Sequence, residues 1–370
     1  MAGLLLFPVL ASAQVEQDFP LGNSGETITM VYVEPGSFMM GAQPDDINAQ
    51  ADEHPQHPVT LTRGYWIGKY ELTQAQWTAV LGDWPYWFPG ENHPAEMMSW
   101  NDIHDSFLPA LNVGLNAPQW RLPTEAEWVY AACAGRDSTR FWWGDDWDWE
   151  QLGTYAWYWD NNTPFGTKPV GLKQPNPWGL YDTAGNVWEF VSDWYRPDYY
   201  ASSPEIDPPG PFNGRVHPIR GGAWRSPVQN IRTADRGTRI PHQIRYCTGL
   251  RLVYDPEAVP ADFVLEMTPA NLTVPSTGGP LEFTVTLTNN TAHVQQVIGW
   301  TEAISQQGVQ FYPLLQRSLN LQPGSVTFTG LVQDIPANAP AGSYTFVARL
   351  SIQSLPNVQA WDSYEFQKEE

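Results

Sequence analysis

Two carboxylates, Asp182 and Glu189, bracket a Gly185-Asn186 turn inside the ring-rich segment Trp178–Tyr195. They offer hard oxygens of the kind calcium prefers. A second stretch with chemical potential holds Arg220, Trp224, Arg225, Ser226, Arg232, Asp235, Arg236 and Arg239, a cation-rich run in an otherwise acidic chain. Arginine forks bind carboxylates through paired hydrogen bonds, so Arg220, Trp224, Arg225, Ser226, Arg232, Asp235 and Arg236 are read as a ligand cleft for an acidic or peptide ligand. The competing reading makes Arg232 and Arg236 internal ion-pair partners that hold long loops together. Other acid clusters carry less. Glu125 and Glu127 stand two apart on one helix and point in different directions, which suits a cap better than acid–base work. Asp52, Glu53, His54 and His57 lie on a path that Pro55 and Pro58 keep extended, and read as a connection. The two cysteines, Cys133 and Cys247, are most simply a disulfide in an oxidising compartment.

Several elements must position these groups. Thr29–Gly41 alternates as a hairpin does. Thr73 is a good N-cap for a helix over 74–81, Ser99 or Asn101 for one over 100–111, and Thr124 with Glu127 forms a capping box for a third. The segment 140–162 is crowded with rings, which either fill a core poor in regular structure or form an exposed stacking surface for a sugar or protein partner. Residues 193–216 read as a surface loop, and 255–262 as a linker by its prolines and acids. Beyond it, Leu281–Thr288 and 343–352 alternate strictly between turn signals, the pattern of an all-β sandwich of immunoglobulin-like type.

With 370 residues, 42% of them hydrophobic, the chain is long enough for two packed domains. Its net charge of -21 disfavours nucleic acid as a partner, because neutralising phosphates requires a basic face. Residues 1–13 combine a short apolar run with Ala-Ser-Ala and are read as a signal peptide, which places the protein outside the cytoplasm: secreted, periplasmic or at the cell surface. That run is too short to span a bilayer, and no transmembrane segment is expected elsewhere.

Five motifs in order, Gly64–Trp77, Trp120–Ala132, Trp178–Tyr195, Arg220–Trp224 and Gly249–Val253, resemble those of the sulfatase-modifying-factor family, which contains the formylglycine-generating enzymes. The resemblance implies an α+β, C-type-lectin-like fold with little regular structure over 25–255, followed by the sandwich at 262–370. It also implies a calcium site made of the Asp182 and Glu189 carboxylates and the main-chain oxygens of Thr183, Gly185 and Val187. Trp157 stands where a second calcium site of the family would have asparagine. Active family members bind copper(I) through two cysteines, whereas here Ser226 and Ile231 occupy those positions and Ala223 replaces a serine. A hydroxyl and a hydrocarbon are no substitute for soft thiolates, so no copper and no catalytic residue is expected. Related variable proteins display their varied residues where this chain has 224–246. The expected function is therefore a secreted, calcium-stabilised binding or structural protein with a protein, peptide or glycan ligand. The alternative is an oxygen-dependent oxidoreductase acting on a peptide cysteine.

Overall fold

The computed structural model describes residues 14–22, 24–113, 119–146, 148–211, 214–255, 263–290, 294–305, 310–352 and 355–369. The expected signal peptide and most of the expected linker lie outside them. Described residues up to 255 form one compact unit and those from 263 form a second.

In the first unit a five-stranded sheet has the order Glu16–Pro20, Thr27–Val33, Tyr65–Gly68, Val253–Tyr254, Trp120–Arg121, so it joins both ends of the unit. A four-stranded sheet runs Thr248–Leu250, Trp188–Phe190, His217–Arg220, Gly237–Arg239. The hairpin expected over Thr29–Gly41 does not form. Thr27–Val33 pairs with Glu16–Pro20 and Tyr65–Gly68, while Gly36–Met40 pairs with His57–Leu61 in a separate two-stranded ribbon. The alternation was real, but each strand buries its apolar side against distant partners.

The three caps form as the side chains dictate. Thr73 and Gln76 box the start of Gln74–Leu81, Ser99 and Asp102 box Trp100–Asp102, and Thr124 and Glu127 box Glu125–Ala132. The second helix continues through a π-helical turn, Ile103–Phe107, to Leu108–Asn112. All eight residues of Glu125–Ala132 are buried, and its Trp128, Val129 and Tyr130 pack with Val31, Tyr65 and Val253 of the five-stranded sheet and Phe38 of the two-stranded ribbon. The helix is thus the central post of this unit.

In the second unit, Phe263–Pro269, Gly279–Asn289 and Gly324–Ile335 make one sheet. Thr273–Val274, Leu355–Lys368, Gly342–Ile352, Gln295–Ser305 and Gln310–Leu321 make the other. Leu281, Phe283, Val285 and Leu287 point inward and join Val297, Phe346 and Leu350 of the second sheet in one core. Burying each large side chain contributes about 2 kcal/mol, enough to fix the register that places these four on one face.

Candidate functional site

The Asp182–Glu189 loop is tightly wound. Asp182, Gly185 and Asn186 take positive φ of 55°, 86° and 56°. A side chain at Gly185 would meet the Trp157 carbonyl oxygen at 2.1 Å, so glycine is required there by both φ and space. The fully buried Glu71 pins the turn by accepting from Asn186 Nδ2 at 2.6 Å and from the Val187 amide at 2.9 Å. Glu189 accepts from Arg251 through both oxygens, at 2.8 and 3.0 Å, and from Trp128 Nε1 at 2.7 Å. Asp182 accepts from the Gly171 amide at 2.7 Å. Glu71 was legible only as part of a helix-entry sequence, because nothing in its local context signals that it reaches a loop more than a hundred residues away.

Glu71, Asp182 and Glu189 are three buried carboxylates that weigh on one another, with Arg251 as the guanidinium bonded into the group. Burial first, and then repulsion from its acidic neighbours, pushes Glu71 well above the carboxylate range. Burial pushes Asp182 up to about 6. A hard cation suits this surplus of negative charge, since Arg251 is bonded to Glu189 and neither Glu71 nor Asp182 has a bonded guanidinium. Glu189 is largely committed to Arg251 and Trp128, which leaves it spare lone pairs but no free carboxylate. Among the described residues no group of three or more histidine, cysteine or acidic side chains converges as a metal cage. A cation held here would therefore rest on Asp182, main-chain oxygens and a shared Glu189.

The acid shift has a definite sign. Between pH 6 and the ordinary aspartate value of 3.8, folded Asp182 holds a proton that the unfolded chain lacks. Without added cation, stability is then expected to rise as pH falls through this window, by on the order of 2 to 3 kcal/mol from this group. Asp182→Asn should flatten that part of the profile in pH-dependent denaturation, and a variant profile parallel to the parent's would refute the assignment.

The arginine run proves mostly internal, correcting the ligand cleft expected there. Arg232 is buried, bonds Glu53 through both nitrogens at 2.7 Å, and reaches Asp46 at 3.2 Å and Asp235 at 3.5 Å. Arg236 bonds Glu125 at 2.8 and 2.9 Å. Arg220 lies 3.1 Å from Glu125 in an off-axis contact and donates to the carbonyls of Ala234 and Asp235 and to the Tyr200 hydroxyl. Arg140 completes the set on Asp46 at 2.9 Å. Burial alone would raise the Glu125 carboxyl, but Arg236 and Arg220 hold it below its usual value. Four guanidiniums meet the carboxylates of Asp46, Glu53, Glu125 and Asp235, so the network is close to neutral and faces no ligand. The acid residues of the 52–57 connection serve here too, Glu53 on Arg232 and Asp52 on the Tyr195 hydroxyl.

Ser226 and Ile231, the two positions where the resemblance would put cysteines, are both engaged within the fold. Ser226 is buried and its hydroxyl accepts from the Ala223 amide at 3.0 Å, while Ile231 packs against Phe141, Leu152, Ala156 and Ala184. Cys133 and Cys247 are both buried and unbonded, which corrects the expected disulfide. The Cys133 sulfur sits in the core 3.6 Å from the Ser138 hydroxyl, and burial pushes its thiol up to about 12. A thiol that holds its proton so firmly is a poor metal ligand.

What does reach solvent is a face of rings. Trp224 is fully buried beneath Phe165 (centroids 4.4 Å apart), Phe88 (5.4 Å) and Tyr246 (6.0 Å). Trp87 stacks on Tyr246 at 5.7 Å. Trp87 and Phe165 are 61% and 63% exposed, which is unusual for rings on the surface of a monomer. Arg225 lies over Tyr246 at 5.3 Å and donates to its hydroxyl. Both loops are braced from within. Glu96, its carboxyl raised to about 7 by burial, accepts from the Trp87 and Phe88 amides at 2.5 and 2.9 Å. The buried Lys168 ammonium donates to Asn162 and to the carbonyls of Pro164 and Gly166, on either side of Phe165. Of the expected cleft residues, Trp224 and Arg225 belong to this face. Trp87, Phe88 and Phe165 were missed, although rings beside Pro89, Pro164 and Gly166 are a signal of side chains presented on loops.

A model of the sulfatase-modifying factor enzyme 1-like domain matches residues 17–256. The chain belongs to this family. As a sulfatase-modifying-factor protein it is 37% identical to the formylglycine-generating enzyme of Streptomyces coelicolor over 182 residues, which cover 44% of this chain and 53% of that one. It is 30% identical over 297 residues to the chaperone protein LppX of Paenibacillus barcinonensis, covering 68% and 98%. The chain thus spans about half of the Streptomyces relative and nearly all of the Paenibacillus one. Among solved structures, Treponema denticola variable protein 1 superposes with a TM-score of 0.57 at 28% identity, covering 65% of this chain and 99% of that one. These members of one family thus include a named enzyme, a named chaperone and a variable protein, and the scaffold by itself does not select among such roles.

Proposed function

We propose that this protein is a non-catalytic binding protein of the sulfatase-modifying-factor family, exported from the cytoplasm, that engages a protein, peptide or glycan ligand through the ring face around Trp224. The observation that carries this reading is the pair Ser226 and Ile231, a satisfied hydroxyl and a packed side chain where copper(I) would need two thiolates. Export rests on the pattern of residues 1–13, and among the described residues no helix is long and apolar enough to cross a membrane. The second unit, whose paired sheets suit an immunoglobulin-like module, serves as an accessory domain. Calcium belongs to the same reading as a stabilising ion on Asp182, the carbonyls of Thr183, Gly185 and Val187, and a shared oxygen of Glu189. Its contribution is to neutralise surplus buried charge.

The test is copper(I) titration together with oxygen uptake in the presence of a cysteine-containing peptide. No stoichiometric copper binding and no oxygen consumption are expected. Turnover of the peptide would replace this reading with that of an oxygen-dependent oxidoreductase. The calcium part is checked at pH 7.5, where added calcium should raise the melting temperature of the parent and not that of Asp182→Asn. Equal melting in calcium and in chelator would remove calcium from the account.

A further inference from the structure

Acidic residues outnumber basic ones 40 to 19 in this chain, and the buried arginines of the first unit, Arg140, Arg220, Arg232, Arg236 and Arg251, find carboxylates. Arg225, Arg239 and Arg245 do not: among the described residues none of the three has a carboxylate within ion-pair distance. Arg239 nevertheless feels the charges of both Arg245 and Arg225. Arg225 lies 5.3 Å over Tyr246 and 5.9 Å from Trp224. Arg245 is exposed and directly precedes Tyr246. Arg239 reaches the side chain of Cys247, which follows Tyr246, and its Nε is buried with no hydrogen-bond partner. Burial lowers the pKa of Arg239, the Cys247 side chain offsets part of this, and the charges of Arg245 and Arg225 lower it further. Like charges held together without a counterion raise the free energy of the folded chain, and an arriving anion relieves that cost.

We propose that the face around Tyr246 binds an acidic glycan, with Arg225, Arg239 and Arg245 taking its carboxylate groups while Trp87 and Phe165 stack on the sugar rings. This rests on the binding-protein reading and names its ligand class. Three observations select this class. The exposed rings present flat apolar faces of a size that suits the C–H face of a pyranose. The net charge of -21 repels a densely charged polymer such as nucleic acid at long range, whereas a local cluster still draws a sparsely charged ligand at close range. A peptide would seek free backbone groups beside the rings, and several of these are already engaged: the Trp87 and Phe88 amides by Glu96, the Pro164 and Gly166 carbonyls by Lys168, and the Ser226 carbonyl by the Trp159 amide. Because both loops are braced, the face is preorganised and loses little conformational freedom on binding.

The experiment titrates the full chain with a panel of uronate-bearing oligosaccharides, their methyl-esterified forms and polyglutamate, followed by calorimetry and tryptophan fluorescence. At least one acidic oligosaccharide is expected to bind, and its ester to bind at least tenfold more weakly. The double variant Arg225→Gln/Arg245→Gln should weaken binding by about tenfold or more, as loss of charge-assisted bonds does. Trp87→Ala should weaken it as well. These side chains are exposed and the arginines repel one another, so melting temperatures of the variants should not fall below the parent's. Three results overturn the proposal: no uronate is bound, the double arginine variant binds undiminished, or polyglutamate binds as tightly as the glycan. A neutral oligosaccharide lost in Trp87→Ala but indifferent to the arginines also overturns the acidic class, while leaving the binding-protein reading in place. That reading fails separately, in the copper and oxygen assay.

Discussion

Arg232→Ala is expected to lower the stability of the first unit by about 3 to 5 kcal/mol, the usual cost of removing one partner from a buried ionic cluster. Arg232 binds Glu53 through both nitrogens and also faces Asp46 and Asp235. Without it three buried carboxylates are left with Arg140 alone as a bonded guanidinium. Asp235 already feels this, since burial and then Glu53 push it up to about 6. Arg225 offers the control from the same run of sequence. It is exposed, and Arg225→Ala should change stability by less than about 0.5 kcal/mol. Urea denaturation of both variants separates the cases, and similar midpoints for the two would show that the network does not hold the long loops together.

Glu189→Ala should cost a comparable amount, about 3 to 5 kcal/mol, by leaving the fully buried Arg251 guanidinium without its carboxylate and Trp128 Nε1 without an acceptor. Both partners are far away in sequence, one on the central helix and one beside the last strands of the unit, so their loss loosens the joint between helix and sheets. The decisive comparison is melting in calcium against melting in chelator. A loss of stability in both media is expected, because the Arg251 pair exists without any metal. A loss seen only in calcium would mean that Glu189 serves the ion and not the fold.

The arginines show why one segment misled and informed at once. Arg225 and Arg232 stand seven residues apart in the same polar run, and nothing local distinguishes them. Their fates were decided by Glu53 and Asp46, which come from a connection nearly two hundred residues earlier. The 52–57 segment looked chemically plain for the same reason, since its acid's partner lies elsewhere. Likewise the alternation over 29–41 announced strands truthfully, but pairing partners are chosen by long-range burial, and the expected hairpin became two strands in two sheets.

The linear chain settled whatever depends on short-range chemistry. Thr73, Ser99 and Thr124 cap the helices because their hydroxyls reach amides three residues on, Gly185 takes the turn that a side chain would obstruct, and alternating positions from Leu281 to Leu287 face one core. The residue types at 226 and 231, serine and isoleucine, are likewise set by the chain alone, since no folding gives those side chains sulfur. Tertiary structure alone decided which charges are spent and which remain available. Ion pairing acts over a few ångströms of space whatever the separation along the chain, so only the folded molecule brings Trp87, Phe165, Tyr246 and the unpaired arginines onto one face while burying Arg220, Arg232 and Arg236 against their acids.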